Sequence, residues 1–288
     1  MDKSNLMPDK KPKSAFLVPF FGELPPYFRF WAKSCEPNHD HFHWFVYSDH
    51  VTRRYDLNRA VTMIPYQFDE MISDFRKLLG IKIPGHYLRN VCDYRIMFYF
   101  LRRGREPLDE YDFIGYTDID LIYGKLIEHL PSDMGRYALV SGDDGKPCGP
   151  LTLMARSRMD RLPDSDEITA ILEDPRHRTF NESPDLTNIV AGGKAVFCRT
   201  DPVQPARTAG FDYRRSFAVW NDGAVTVWDI RGNRKEGGFY HFSRYKRRRR
   251  FRVGEHSEEN GQWGIYKYGI IDIRSKTTFH RLKLASLL

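Results

Sequence analysis

Short apolar runs alternate with amphipathic stretches along the N-terminal part of the chain. Three runs are too short for helices and are predicted as buried strands: Ser14–Phe20, His43–Tyr47 and Val61–Ile64. Helices are predicted over Pro26–Cys35, where proline suits the first turn, and from Phe68 to Leu79, where apolar residues recur at helical spacing. This alternation predicts an α/β fold with a mostly parallel central sheet.

The patterns further along the chain predict one more large helix and several strands. Asn90–Arg103 is apolar nearly all round over part of its length, so it is predicted to be a helix inside the core. A hairpin is predicted over Ala218–Ile230, because Asn221-Asp222-Gly223 joins two aromatic and β-branched runs. The remaining predictions are strands over Tyr137–Ser141, Leu151–Ala155 and Ile265–Ile273 and short helices over Leu126–Leu130 and Glu167–Leu172.

Composition and the N-terminal sequence predict a globular protein and give no signal for a membrane span or for secretion. Of the 288 residues, 41% are hydrophobic and 14% are aromatic, which is typical of a globular protein. No apolar run approaches the roughly 20 residues of a membrane span, and the charged start lacks the apolar region of a secretory signal. The four cysteines show no CxxC spacing and are expected to be free thiols. We therefore expect a cytoplasmic protein with a disordered segment 1–13, a single domain 14–250 and a C-terminal extension 251–288 that ends in a basic amphipathic tail at Thr278–Leu288.

The most informative stretch is Tyr111–Gly124, in which a short apolar run ends in Asp118-Ile119-Asp120. A buried strand that ends in this way projects hard oxygen ligands from the edge of a sheet, where a divalent cation and its phosphate ligands can bind. A salt-bridged or capping role for the two carboxylates is the alternative. A second Asp-x-Asp, Asp164-Ser165-Asp166, lies in a polar loop after a proline and is predicted as a solvated turn.

Two further features near this stretch carry polar groups. Asp93 and Arg95 lie in the first turn of the predicted Asn90–Arg103 helix. They either complement the helix dipole and form a surface salt bridge, or line a cleft at the carboxyl ends of the strands. The glycine- and proline-rich sequence SGDDGKPCGP, between two predicted strands, is a candidate substrate loop.

Much of the net charge of +7 lies in one run, Arg244–Arg252. Such a run is often a solvated face or a flexible tail, and its functional alternatives are contacts with anionic lipid or with a diphosphate. No RNP-like, zinc-finger or helix-turn-helix signature accompanies the run, so we expect no nucleic-acid partner. Arg247–Arg250 would suit a peripheral protein at the inner face of the membrane.

A combination of motifs resembles a known family: CDYR, then YDFIGYTDIDLIYG, a glycine-rich loop, and YHF followed by a lysine. It resembles the GT-A nucleotide-sugar glycosyltransferases, particularly bacterial enzymes that build surface polysaccharides such as capsule and lipopolysaccharide. The resemblance implies a single Rossmann-like GT-A domain and transfer of a sugar from a nucleotide donor, UDP-linked in the favoured case, to a saccharide or lipid-linked saccharide.

The same resemblance implies a Mn²⁺ or Mg²⁺ ion that stabilises the departing nucleoside diphosphate. Asp120 would bind this ion directly, and Asp118 would hold the donor ribose or the ion through water. His241, inside YHF, would be a further ligand, and Lys246 would contact the diphosphate.

Roles for other residues follow from the resemblance in the same way. The implied donor contacts are Asp93 and Arg95 for the sugar or phosphate, and Phe20, Phe21 and Tyr47–Asp49 for the nucleoside base. Glu182 and Asp185 are the candidates for a catalytic base, so retention or inversion at the sugar stays open. Asp143 and Asp144 are either ligands of sugar hydroxyls or part of an ordinary turn.

Other constellations compete with this interpretation. Cys35, His39, His41 and His43 lack a second pair at ligand spacing, so zinc is not expected. No P-loop, dinucleotide-binding or nucleophile-elbow motif is present. Two functions remain as alternatives: a non-catalytic protein that binds polyanions or membranes through Arg244–Arg252, and a nucleotidyltransferase of similar architecture that would release pyrophosphate.

Overall fold

The computed structural model of the chain describes residues 11–84, 91–141, 147–160, 162, 166–191, 197–199, 216–229, 231–254 and 261–273. Asp143, Asp144, the tail Thr278–Leu288 and most of the second Asp-x-Asp lie outside these residues. Lys13, at the end of the segment predicted to be disordered, accepts hydrogen bonds from the backbone N–H groups of Asp112 and Phe113.

Strands and helices alternate through the N-terminal half, and strands dominate the C-terminal part. The strands are β1 (Ser14–Pro19), β2 (Phe42–Ser48), β3 (Tyr55–Asp56), β4 (Val61–Pro65), β5 (Phe113–Thr117), β6 (Leu121–Tyr123), β7 (Leu139–Ser141), β8 (Leu151–Ala155), β9 (Phe197–Arg199), β10 (Ser216–Asn221), β11 (Ala224–Asp229), β12 (Arg234–Gly237), β13 (Phe239–His241), β14 (Arg252–Val253), β15 (Gln262–Tyr266) and β16 (Gly269–Asp272). The α-helices are α1 (Phe28–Cys35), α2 (Phe68–Leu79), α3 (Val91–Tyr94), α4 (Phe98–Arg102), α5 (Arg156–Met159), α6 (Asp166–Glu173), α7 (Pro184–Ala191) and α8 (Ser243–Lys246).

The main sheet has the order β3-β4-β2-β1-β5-β8-β7-β9 and is mixed. Its centre, β4-β2-β1-β5, is parallel, whereas β8 pairs antiparallel with both β5 and β7. The predicted α/β class is confirmed, but the sheet is less parallel than expected. The physical reason is that the connection from β7 to β8 is too short for the crossover that parallel neighbours need.

A second sheet has the order β12-β11-β10-β15-β16-β14. The predicted hairpin forms β10 and β11, with Asp222 and Gly223 at positive φ in its turn. The strand predicted over Ile265–Ile273 is instead the hairpin of β15 and β16, because the chain reverses between Tyr266 and Gly269. The predicted boundary at residue 250 falls inside this sheet, since β14–β16 follow that position.

The two sheets share one hydrophobic core. Trp220 of β10 and Trp263 of β15 stack with ring centroids 3.8 Å apart, and both belong to the same buried cluster as Phe16 and Trp44 of the main sheet. The indole N–H of Trp220 also donates to the backbone oxygen of Tyr123 in β6, at 2.9 Å. This packing holds β6 between the two sheets.

The helix predicted over Asn90–Arg103 is broken. It consists of α3, a 3₁₀ turn at Arg95–Met97 and α4, all of them buried on the main sheet. The sequence has no glycine or proline at this position to indicate the break. The tighter turn lies where Arg95 meets the end of β5, and 3₁₀ segments inside helices often mark functional positions.

None of the helices in the described part of the chain is both long and apolar enough to span a bilayer.

Candidate metal centre

A cleft of about 410 Å³ with both charged and apolar lining residues opens at the carboxyl ends of β1 and β5. This end of a parallel sheet is where ligands bind in open α/β folds. The lining residues come from the end of β1, the start of α3, the loop after β5 and the segment around α8: Val18–Phe21, Val91, Cys92, Arg95, Thr117–Asp120, His241, Ser243, Lys246 and Arg247.

A short antiparallel pairing brings distant parts of the chain together in this cleft. The strand β5 ends at Thr117, so Asp118 and Asp120 follow in the loop before β6. The strand β13 pairs with β6 and places His241 opposite Leu121. The backbone N–H of Phe242 donates to the backbone oxygen of Asp120 at 3.0 Å, which fixes His241 beside both carboxylates.

One ligand atom from each of Asp118, Asp120 and His241 lies within 4.8 Å of the others. His241 Nε2 is 3.7 Å from Asp118 Oδ2 and 3.3 Å from Asp120 Oδ1. Ligands about 2.1 Å from an octahedral cation are separated by about 3 Å, so only small shifts would be needed around Mn²⁺ or Mg²⁺. A donor set of two carboxylates and one imidazole fits Mn²⁺ well, because carboxylate suits hard cations and imidazole suits transition metals.

The remaining oxygen of each carboxylate is held by a cation of the protein. Arg95 Nη1 is 2.8 Å from Asp118 Oδ1, and Lys246 Nζ is 2.7 Å from Asp120 Oδ2. Each carboxylate therefore points one oxygen at a fixed positive group and the other towards His241. Such outer partners orient metal ligands and support their affinity.

The charges of the centre perturb its own titrating groups. Burial raises the pKa of Asp120, but the hydrogen bond and charge of His241 and the charge of Lys246 outweigh it and hold this pKa well below its usual range. Burial lowers the pKa of His241, and the two carboxylates outweigh that effect and raise it. A proton on the imidazole thus stabilises the metal-free centre, and a cation must displace it to bind.

Arg95 is a buried positioning group. Besides Asp118, its guanidinium donates to the backbone oxygens of Thr117 and Gly149 at 3.3 and 3.2 Å, and it lies 4.5 Å from the ring centre of Tyr116. The contact of Arg95 with the donor stays a prediction. Its observed partners belong to the protein and keep Asp118 in place.

Gly149 brings a third carboxylate to the centre. Its backbone N–H donates to Glu182 Oε1 at 3.1 Å. A Cβ at position 149 would lie 2.6 Å from Glu182 Oε1, 3.0 Å from Arg95 Nη2 and 3.3 Å from Asp118 Oδ2. Only a glycine allows these three groups to approach one another this closely.

Of the other predicted site residues, some line the cleft and others form hydrogen bonds or contacts away from it. Phe20 lines the cleft, whereas the carboxylate of Asp49 accepts the backbone N–H of Gly22 and holds the loop after β1. Asp93 is buried and accepts the backbone N–H groups of Arg178 and Phe180, just before Glu182. Asp185 is exposed and borders a separate cavity. Of the two base candidates, the fold brings Glu182 to the centre.

Two residues of the centre were not singled out from the sequence. Gly149 lies in the loop predicted to contact substrate, but nothing in its neighbours indicates that a side chain is excluded there. Tyr27 precedes α1, and burial, then Asp120 and Asp118, raise the pKa of its hydroxyl well above its usual value. No sequence signal marks Tyr27, because its proximity to the centre depends on the packing of its own ring against the distant Phe242.

Comparison with known proteins places most of the chain in a family. No curated protein matches the chain. A family model described as a family of unknown function, DUF6625, matches residues 16–274, a span that includes every residue of the candidate metal centre. The chain belongs to this family of unknown function.

Proposed function

We propose that the protein is a metal-dependent glycosyltransferase that moves a sugar from a nucleotide donor, UDP-linked, to a saccharide or lipid-linked saccharide. The observation that carries the proposal is the convergence of Asp118, Asp120 and His241 beside a cleft at the carboxyl ends of the strands. GT-A architecture and a role in bacterial surface polysaccharides belong to the same proposal and rest on the sequence motifs.

The charge of the centre favours a phosphorylated ligand. Arg95 and Lys246 already balance the two carboxylates, so a divalent cation bound there keeps its positive charge largely uncompensated. An anionic group on the open side of the cation would restore neutrality. A nucleoside diphosphate supplies such an anionic group. As it departs from the sugar it gains negative charge, which the cation would stabilise when bound.

Different residues of the cleft would bind the cation, orient its ligands and accept the proton of the acceptor. Asp118, Asp120 and His241 would hold the cation, and Arg95 and Lys246 would keep the two carboxylates oriented. Phe20 borders the cleft where a nucleoside base could pack. Glu182 would take the proton from the acceptor hydroxyl at Oε2, while Oε1 stays hydrogen-bonded to Gly149. With Glu182 as base, transfer would proceed with inversion.

The test is thermal unfolding with a panel of nucleotides and nucleotide sugars, with and without Mn²⁺. We expect one nucleoside diphosphate to raise the Tm only when Mn²⁺ is present, because a ligand that binds only the native state stabilises it, and the more so the tighter it binds. The Asp118→Ala variant should lose this shift and sugar transfer while keeping its fold. The control is Asp160→Ala, since Asp160 is exposed and does not line the cleft.

Product analysis separates this function from the alternative enzyme. A glycosyltransferase releases a nucleoside diphosphate, whereas a nucleotidyltransferase releases pyrophosphate. Release of pyrophosphate, or transfer that persists in the Asp118→Ala variant, would contradict the proposal.

A further inference from the structure

The arginines that follow α8 form a folded turn, which we call the arginine turn and define as Arg247–Arg250. The backbone N–H of Arg248 donates to Tyr245 at 2.9 Å, and that of Phe251 donates to Arg248 at 2.9 Å. The chain then enters β14, which pairs with β16 in the second sheet. The run is therefore displayed by the fold and is not a loose tail.

Aromatic residues anchor the turn from beneath. The rings of Phe242 and Phe251 stack with centroids 5.9 Å apart, and the buried Tyr245 donates its hydroxyl to the backbone oxygen of Ser216 at 3.2 Å. These contacts tie both ends of the arginine turn to the core. They also leave the rings of Phe242 and Tyr245 covered rather than available for stacking on bases.

The four guanidinium groups of the arginine turn are exposed. Within the part of the chain that the structure describes, none of them forms an ion pair with a carboxylate; Arg248 lies over the ring of Tyr245 at 5.6 Å. Four adjacent cations that form no ion pair among the described residues repel one another, and an external anionic surface would relieve this repulsion.

We propose that the arginine turn docks the protein on an anionic phospholipid surface. A compact group of exposed cations suits a surface that presents many anionic headgroups. Each Arg then adds its own electrostatic attraction, and no binding pocket of defined shape is needed. Nucleic acid fits less well, because single strands require exposed aromatic platforms and α8, with four residues, is too short to read a groove.

Docking through this turn also orients the cleft. Arg247 belongs to the turn and lines the cleft together with Lys246, so the mouth of the cleft would face the lipid surface. An acceptor presented from the bilayer would then reach the metal centre directly. This last step rests on the proposed function, whereas the docking itself does not.

The test is flotation of the full-length protein with vesicles, in EDTA and without nucleotide, so that failure of the proposed function leaves the result unaffected. The vesicles contain phosphatidylcholine and phosphatidylglycerol in equal amounts, or phosphatidylcholine alone. We expect binding only to the anionic vesicles, and binding that weakens steeply as salt is added. The variant Arg248→Gln/Arg249→Gln/Arg250→Gln should bind on the order of a hundredfold more weakly.

The matched control is Arg53→Gln/Arg54→Gln/Arg76→Gln, which removes the same charge from exposed positions elsewhere. Its binding should stay within about threefold of the wild type, because attraction to the surface falls off within a Debye length of about 10 Å. Equal losses in the two variants, or equal binding to both kinds of vesicle, would overturn the proposal. So would binding to soluble polyphosphate with no binding to vesicles.

Discussion

Gly149 is a residue at which a very small substitution should disturb the candidate metal centre. We predict that Gly149→Ala weakens Mn²⁺ binding by roughly 10- to 100-fold, because the new Cβ displaces Glu182 and Arg95, and Arg95 orients Asp118. The cost in stability should be about 1–3 kcal/mol, as for other overpacked sites. Calorimetric titration with Mn²⁺ and chemical unfolding measure the two effects.

Gly135 provides the control for this substitution. A Cβ there meets no atom within 4 Å and its φ is not in the left-handed region, so Gly135→Ala should change neither quantity. If Gly149→Ala binds Mn²⁺ as tightly as Gly135→Ala does, Arg95 and Glu182 are not coupled to the centre in the way inferred above.

At the scale of elements, the turn of the β10–β11 hairpin supports the second sheet. Gly223 has a φ of 91° and a Cβ there would lie 2.9 Å from Pro37, between α1 and β2. We predict that Gly223→Ala lowers the free energy of unfolding by about 2–3 kcal/mol, from left-handed strain and from the clash together. Urea unfolding measures this change.

A substitution at Gly232 distinguishes the backbone strain from the clash with Pro37. Its φ is 85°, but a Cβ there meets nothing within 4 Å, so Gly232→Ala should cost only the conformational part, about 1–2 kcal/mol. Equal losses at positions 223 and 232 would show that the contact with Pro37 contributes nothing.

Elements with local signals could be predicted from the sequence, and those that depend on distant partners could not. The hairpin at Asn221–Gly223 carries its own turn chemistry, and α2 carries its own periodicity and terminal Gly80. The break at Arg95–Met97 occurs where Arg95 turns towards Asp118 and Gly149, which are far away in sequence. The position of Asp118 and Asp120 at the end of β5 was predictable for the same reason as the hairpin, since both residues follow a recognisable strand; their role as metal ligands stays a prediction.

At the scale of the whole molecule, the sequence predicted the α/β class but not the second sheet. The alternation that defines the class extends over the N-terminal half. The pairing of β10 with β15 joins segments more than forty residues apart, with Ala218 opposite Ile265. Nothing in the two local patterns selects that register, because it depends on packing such as the stacking of Trp220 on Trp263.

Cation binding should slow amide exchange selectively in the ribbon formed by β6 and β13. The centre takes Asp118 and Asp120 from one side of this ribbon and His241 from the other. At a Mn²⁺ concentration 100 times its Kd, we predict that exchange at Phe239–His241 slows by up to about 100-fold through suppressed local opening. Hydrogen exchange with mass spectrometry measures this, and a uniform change across both sheets would contradict it.

The ribbon therefore connects the candidate metal ligands to the pairing of two strands, since a cation bound by Asp118, Asp120 and His241 would also hold β6 and β13 together. Three residue pairs join β6 to β13, and backbone hydrogen bonds from Phe242 to Asp120 and from Gly124 to Gly238 flank them. A bound cation would add its own free energy to a pairing that the core already holds. When the supply of cation falls, the ribbon would stay in the core, and His241 would keep its contacts with both carboxylates. The site would then take up a cation again without refolding.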